Sequence, residues 1–235
     1  TGGYKLAGNT VLYASTTNEA VAVGASAAAG WMSASSTGWY SVAIGNAALE
    51  TTPTSGAAIL NTAVGRYALR SNTTGNQNTG IGASAIQNNT TGYNNTASGY
   101  SALSSNTLGY NNTAYGTQAL LLNNASYNNV AIGFNTGYGL GGAYSNQGGT
   151  IVGYYAGGNF ATGSDYNTLL GYNSGFGITT GARNVLLGHS TIAASYHRLE
   201  IMPTVRDDAL RKLEKMLSRA PLLRDVLSRT LPRPQ

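Results

Sequence analysis

Four consecutive copies of one seventeen-residue phrase occupy residues 61–128, beginning at Asn61, Asn78, Asn95 and Asn112. The consensus is close to N-T-A-V-G-x-x-A-L-x-x-N-T-T-G-Y-N, and its register never slips. Gly65, Gly82, Gly99 and Gly116 hold the fifth place, Ala68, Ala85, Ala102 and Ala119 the eighth, and Asn72, Asn89, Asn106 and Asn123 the twelfth. Seventeen residues cannot enclose a core of their own. A fixed short period of this kind therefore specifies a solenoid, in which each coil buries its apolar residues against the coils on either side.

Each copy has a short apolar and β-branched run (residues 62–64 in the first), a glycine, a second short run (67–69), and a turn rich in Asn, Thr and Gly. Successive strands are expected to pair in parallel at roughly 4.8 Å. Identical residues then form ladders, and an Asn carboxamide suits a ladder because it donates to one neighbour and accepts from the other. The recurrent glycine fits a bend with positive φ or crowded backbones. In the strand, the Thr and Val/Ile rank (Thr62, Val64, Thr79, Ile81) points opposite to the Ala rank (Ala63, Ala97, Ala114, Ala131). The larger residues are expected to fill the roll, leaving the Ala rank to meet neighbouring chains.

The phrase continues less strictly on both sides, as Ala20–Gly24, Ser41–Gly45, Asn129–Gly133, Gly149–Gly153, Asn167–Gly171 and Asn184–Gly188, which makes ten copies. Ten rungs give a rod on the order of 50 Å long. The longer spacings after residues 20, 41 and 129 predict loops bulging from a continuous stack. Residues 1–19, with Tyr4–Leu6 and Thr10–Tyr13, read as an opening strand or capping hairpin that covers the end of the sheet. The solenoid body is placed at 20–195. Residues 196–235 form a basic tail, in which Leu210, Leu213, Leu217, Leu223 and Leu227 make the seam of two short amphipathic helices over about 205–229.

Only 9% of residues are charged, against about 25% in ordinary soluble domains. Polarity is carried instead by Asn, Ser, Thr and Gly, a composition that fits a fibre outside the cell better than a cytosolic enzyme. Cys is absent, which excludes disulfides and thiolate chemistry. The body holds one Asp, at 165, and one His, at 189, so no acid and base are paired for hydrolysis. No cofactor or metal is expected. Gly137–Gly142 matches a dinucleotide fingerprint in letters alone, because no helical pattern follows it. Acidic residues interleave with the basic ones in the tail, which argues for a solvated helix face rather than nucleic-acid binding. No apolar run reaches the ~18 residues of a membrane span.

The column Tyr93, Tyr110, Tyr127 beside Asn94, Asn111, Asn128 is the candidate glycan-contact strip. Aromatic faces pack on sugar rings while amides bond hydroxyls; the competing reading is a ladder that only stabilises its turns. The Thr rank (Thr62, Thr79, Thr96, Thr113) raises ice binding as a minor alternative, weakened by the apolar residues two places on.

The phrases Ser41–Gly45 and Asn129–Gly133 resemble the head repeats of trimeric autotransporter adhesins, and Asn61–Gly75 is similar to repeats of phage tail-fibre and related surface proteins. The resemblance covers about residues 1–190. It implies an all-β fold, a left-handed parallel β-roll of about ten coils in a homotrimer, here followed by the helical tail. The expected function is a non-enzymatic fibre or spike on a virion that attaches to a host-surface receptor, either a glycan or a protein. The alternative is a bacterial surface adhesin or an extracellular filament whose subunits associate end to end.

Overall fold

The computed structural model describes residues 4–6, 9–15, 20–31, 40–51, 58–139, 145–191 and 199–201. Its strands form one sheet in sequence order. At the start, β1 (Tyr4–Leu6) and β2 (Asn9–Ser15) pair antiparallel, and β2 lies antiparallel on β3 (Ala20–Val23). From β3 onward every pairing is parallel and joins one repeat to the next. These strands are β4 (Val42–Ile44), β5 (Thr62–Val64), β6 (Thr79–Ile81), β7 (Thr96–Ser98), β8 (Thr113–Tyr115), β9 (Val130–Ile132), β10 (Thr150–Val152), β11 (Thr168–Leu170), β12 (Val185–Leu187) and β13 (Leu199–Ile201). The chain is an all-β parallel solenoid of about nine turns, with little helix among the described residues. The expected tail helices and their leucine seam, Leu210 to Leu227, lie outside the described residues.

Outside the strand triplet, each coil is still bonded to its neighbours through the backbone. Around one coil, Ser84 N–H donates to Arg66 O, Ile86 N–H to Ala102 O, Asn88 N–H to Ser104 O and Asn94 N–H to Asn76 O, all between 2.8 and 3.0 Å. These alternating upward and downward bonds impose a backbone that the residue types would not choose. The seventh, ninth and seventeenth places are left-handed: Ser84, Ile86 and Asn94 have φ of 58°, 50° and 54°, and Ser101, Leu103 and Asn111 have 53°, 52° and 55°. For Ile and Leu this region is unfavourable. The second apolar run of the repeat is consequently a turn that aims its Ala and Leu inward, not a second strand.

The expected facing of the strands is reversed. The middle residue of each triplet is the buried one: Ala63, Ala97 and Ala131 are 0% exposed, whereas Ile81 is 45% and Tyr115 63% exposed. The reason is the width of the coil. A Cβ built on Gly80, in the middle place of β6, would stand 3.2 Å from Ala85 O and 3.5 Å from Leu69 Cγ. The interior has room for a methyl there and not for a branched chain, because the ninth-place Leu already reaches across. The Ala rank therefore lines the core, and the Thr and Val/Ile rank is the outward face.

Two buried Asn columns complete the interior. At the first place, Asn78 Nδ2 donates to Gly92 O at 2.8 Å, closing its own coil, while Asn78 Oδ1 accepts from Asn95 N–H at 3.0 Å and Asn95 Nδ2 at 3.1 Å. At the twelfth place, Asn89 Nδ2 donates to Gly92 O at 2.9 Å and to Asn72 Oδ1 at 2.7 Å. One glycine carbonyl thus receives an amide from each column. These bonds satisfy polar groups that burial would otherwise make costly.

The core changes its composition along the rod. In the four regular coils, from Asn61 to Asn128, a small third-place residue faces a Leu or Ile at the ninth place and an Asn at the twelfth. In the coils that begin at Gly149 and Asn167 the third place is Ile151 or Leu169, the ninth is Gly157 or Gly175, and the twelfth is Phe160 or Ile178. The exchange conserves volume: a Cβ on Gly175 would lie 2.8 Å from Leu169 Cδ1 and 3.1 Å from Ile178 Cδ1.

Candidate functional site

The sixteenth and seventeenth places lie at the end of the polar turn, where the chain leaves one coil for the next strand. The outward direction of both columns follows from that position. Tyr93 and Tyr110 stack with ring centroids 4.9 Å apart and 1° between planes, and Tyr110 and Tyr127 at 5.0 Å and 6°. Beside them Asn94, Asn111 and Asn128 are exposed and left-handed, a conformation that Asn tolerates better than most residues. Their carboxamides form an outer ladder, Asn94 Nδ2 to Asn111 Oδ1 at 3.2 Å and Asn111 Nδ2 to Asn128 Oδ1 at 3.0 Å. All six residues of the candidate strip therefore come together as two parallel columns.

The geometry decides what this strip can do. Face-to-face stacking consumes the ring faces inside the column, so the solvent meets ring edges and hydroxyls rather than flat platforms. Desolvation, followed by the nearby Tyr110, Tyr166 and Asp165, raises the Tyr127 hydroxyl pKa above its ordinary value. Each exposed carboxamide spends only part of its hydrogen-bonding capacity within the ladder. The strip offers a repeating set of donors and acceptors at the coil spacing.

A second aromatic column stands at the sixth place, directly after the recurrent glycine. Phe134 and Tyr154 stack at 5.2 Å, Tyr154 and Tyr172 at 5.1 Å, and Tyr172 and His189 at 4.9 Å. His189 is exposed, as its variable place in the repeat implies, and it is the last ring of this column among the described residues. The sequence signal for the column was the aromatic at the sixth place of successive coils, obscured because earlier coils carry Arg66 and Ala83 there. The column borders the outward strand face, where Ile44, Ile81, Tyr115, Ile132 and Leu170 are all exposed.

One small charged group lies near the start of the rod. Arg66 lies 4.2 Å and Arg70 5.0 Å from the Tyr67 ring centre, and Arg70 Nε pairs with Glu50 Oε2 at 2.7 Å. Among the described residues no three His, Asp or Glu gather as metal ligands, and no helix is long and apolar enough to cross a membrane. Comparison of the chain with protein-family models, with curated proteins and with solved structures finds no match.

Proposed function

We propose that this chain is the rod-like body of a homotrimeric surface fibre, carried on a virion in the manner of a phage tail fibre, that attaches to a receptor on a host surface. The observation that carries the reading is the outward strand face. Val21, Ile44, Ile81, Ile132 and Leu170 are each at least 40% exposed along one side of a rod on the order of 50 Å long. Apolar side chains repeated on one exposed face mark an interaction face. Packing three copies about a common axis covers it, and the left hand of the roll and the number three come from the repeats' resemblance to adhesin heads and tail fibres. The role is mechanical and adhesive, not enzymatic. The Tyr93–Tyr127 and Asn94–Asn128 columns lie in the turns that precede the strands, where polar edges and amides can bond the hydroxyls of a surface glycan.

Binding of the fluorescently tagged protein to candidate host cells tests the attachment role, with Asn94→Ala/Asn111→Ala/Asn128→Ala as the comparison. Adsorption lost in that variant supports the glycan strip, and no adsorption to any host surface overturns the attachment reading. A bacterial adhesin or a filament subunit would use the same body; end-to-end polymers in electron micrographs of the purified protein would favour the filament.

One observation favours ice binding as a second reading. Thr96, Thr113, Thr150 and Thr168 are exposed on the outward face, contrary to the expectation that they would be buried. Their companion rank carries Tyr115 and Leu170, which interrupt a flat threonine lattice. Thermal hysteresis of the purified protein decides this reading, and its absence removes it.

A further inference from the structure

The rod changes character at one coil, and the twelfth-place Asn column ends there in a way that can be followed atom by atom. Buried apolar residues form two separate clusters, one ending at Ala131 and the other beginning at Ile151. In the coil between them Ala131 and Gly137 combine the small third place of the first half with the small ninth place of the second. The polar interior is altered in the same region.

In the regular coils Gly75, Gly92 and Gly109 leave space for the carboxamide of the same coil's twelfth residue. A Cβ on any of them would overlap the amide oxygen of Asn72, Asn89 or Asn106 respectively. The next coil carries Ser126 at this place, and its Cβ takes that space. Asn123 accordingly turns its Oδ1 to accept from Ser126 N–H at 3.1 Å. The amide cannot be turned over, since its NH2 would then oppose another N–H.

The consequence falls on both sides. Asn89 Oδ1 accepts from Asn106 Nδ2 at 2.9 Å, but Asn106 Oδ1 receives no such bond from Asn123, and Asn123 Nδ2 donates to nothing. Both side chains are fully buried. One coil further, Asn146 N–H donates to Ser126 Oγ at 2.6 Å, while Asn146 Oδ1 and Nδ2 are buried without partners. Asn123, Ser126 and Asn146 are thus joined by hydrogen bonds, and the orphaned atoms around them are two donors and two acceptors.

We propose that this joint is an internal binding site for ordered water, in which water accepts from Asn123 Nδ2, donates to Asn106 Oδ1, and is closed in by the Asn146 carboxamide. The atom set selects the ligand. A site with two to four polar partners of both kinds suits water, whereas a cation would need oxygen ligands alone and would be repelled by two amide NH2 groups. The cause is specific to this chain: Ser126 follows Gly75, Gly92 and Gly109 in the column and displaces a ladder rung, and water replaces the lost contact. The site is internal, so its test does not depend on whether the rod assembles.

Deuteron magnetic relaxation dispersion of the full-length protein counts long-lived internal water, and it should be compared with the Ser126→Gly and Asn146→Leu variants. Circular dichroism verifies that each variant is folded. Ser126→Gly lets Asn123 rejoin the ladder, and Asn146→Leu fills the site, so each should lose at least one long-lived water relative to the parent. Asn94→Ala, on the outer ladder, should leave the count unchanged. Should neither replacement fold, crystallographic density of the parent provides the reading, with a water expected within hydrogen-bond distance of Asn106 Oδ1 and Asn123 Nδ2. Equal counts in all folded proteins, direct bonding of those two atoms, or a cation at the position would overturn the proposal.

Discussion

Gly99 has φ of +137°, and a Cβ placed on it would stand 2.5 Å from the carbonyl carbon and oxygen of Gly116 in the next coil. Two penalties coincide there, a strained backbone and a clash that only separation of the coils relieves. Gly163 has φ of +94° with nothing within 4 Å, so it carries the first penalty alone. Gly99→Ala should therefore cost at least about 3 kcal/mol and Gly163→Ala about 1 kcal/mol, read from urea unfolding midpoints. Equal costs would mean that the coils separate easily and that stacking is not what fixes the fifth place. Asn95→Ala tests the inner ladder in the same assay. It removes the oxygen that accepts from Asn112 N–H and Asn112 Nδ2, both at 3.0 Å, and should cost about 2 to 3 kcal/mol by orphaning buried donors. These two residue types were legible in the sequence because glycine and asparagine recur at fixed places for reasons that their own chemistry supplies. Left-handed Ile86 and Leu103 were not legible. Local preference argues against them, and only the hydrogen bonds to neighbouring coils override it.

At the scale of the strand, three residues must present one face to a narrow interior and the other to the outside, and hydrophobicity alone assigns them wrongly. Val and Ile are larger and more apolar than Ala, yet the space beside Leu69 and Ala85 admits only a methyl. Fit decides the facing, and the width of a coil is not written in a period of seventeen. Ala97→Asp should consequently prevent folding or lower stability by several kcal/mol, because it buries a charge with no partner. Ile81→Asp, on the outward face, should leave the circular dichroism spectrum of the coil unchanged. Equal loss of folded signal in both variants would refute the facing described. The two core types make a further comparison. Gly157→Leu collides with the Phe160 ring, whose Cζ would lie 2.9 Å from the new Cβ, and should destabilise by at least about 2 kcal/mol. Adding Phe160→Asn and Leu169→Ala rebuilds the arrangement of the first half, and the triple variant should be more stable than the sum of its parts. Simple additivity in thermal melts would show that the halves do not exchange volume as described.

At the scale of the molecule, each coil touches only its neighbours, so stability accumulates along the rod and surface properties run its full length. The period predicted this rod, and the side on which it presents apolar residues emerged only from the facing of the strands. That side now places the test of assembly. If three rods pack through the outward rank, Ile81 and Leu170 lie inside the assembly, and Ile81→Asp with Leu170→Asp would place six carboxylates along one apolar axis. The parent protein should scatter light at low micromolar concentration as a particle of three times the chain's 24.2 kDa. The double variant should retain its β-sheet spectrum and scatter as a single chain. Replacing Tyr93 and Tyr110 with serine, in the polar turns that precede the strands, should leave the parent mass unchanged. The three measurements together separate assembly through the strand face from assembly through the polar turns. A parent protein that remains a stable monomer would leave the apolar face without a partner and would overturn the trimeric fibre.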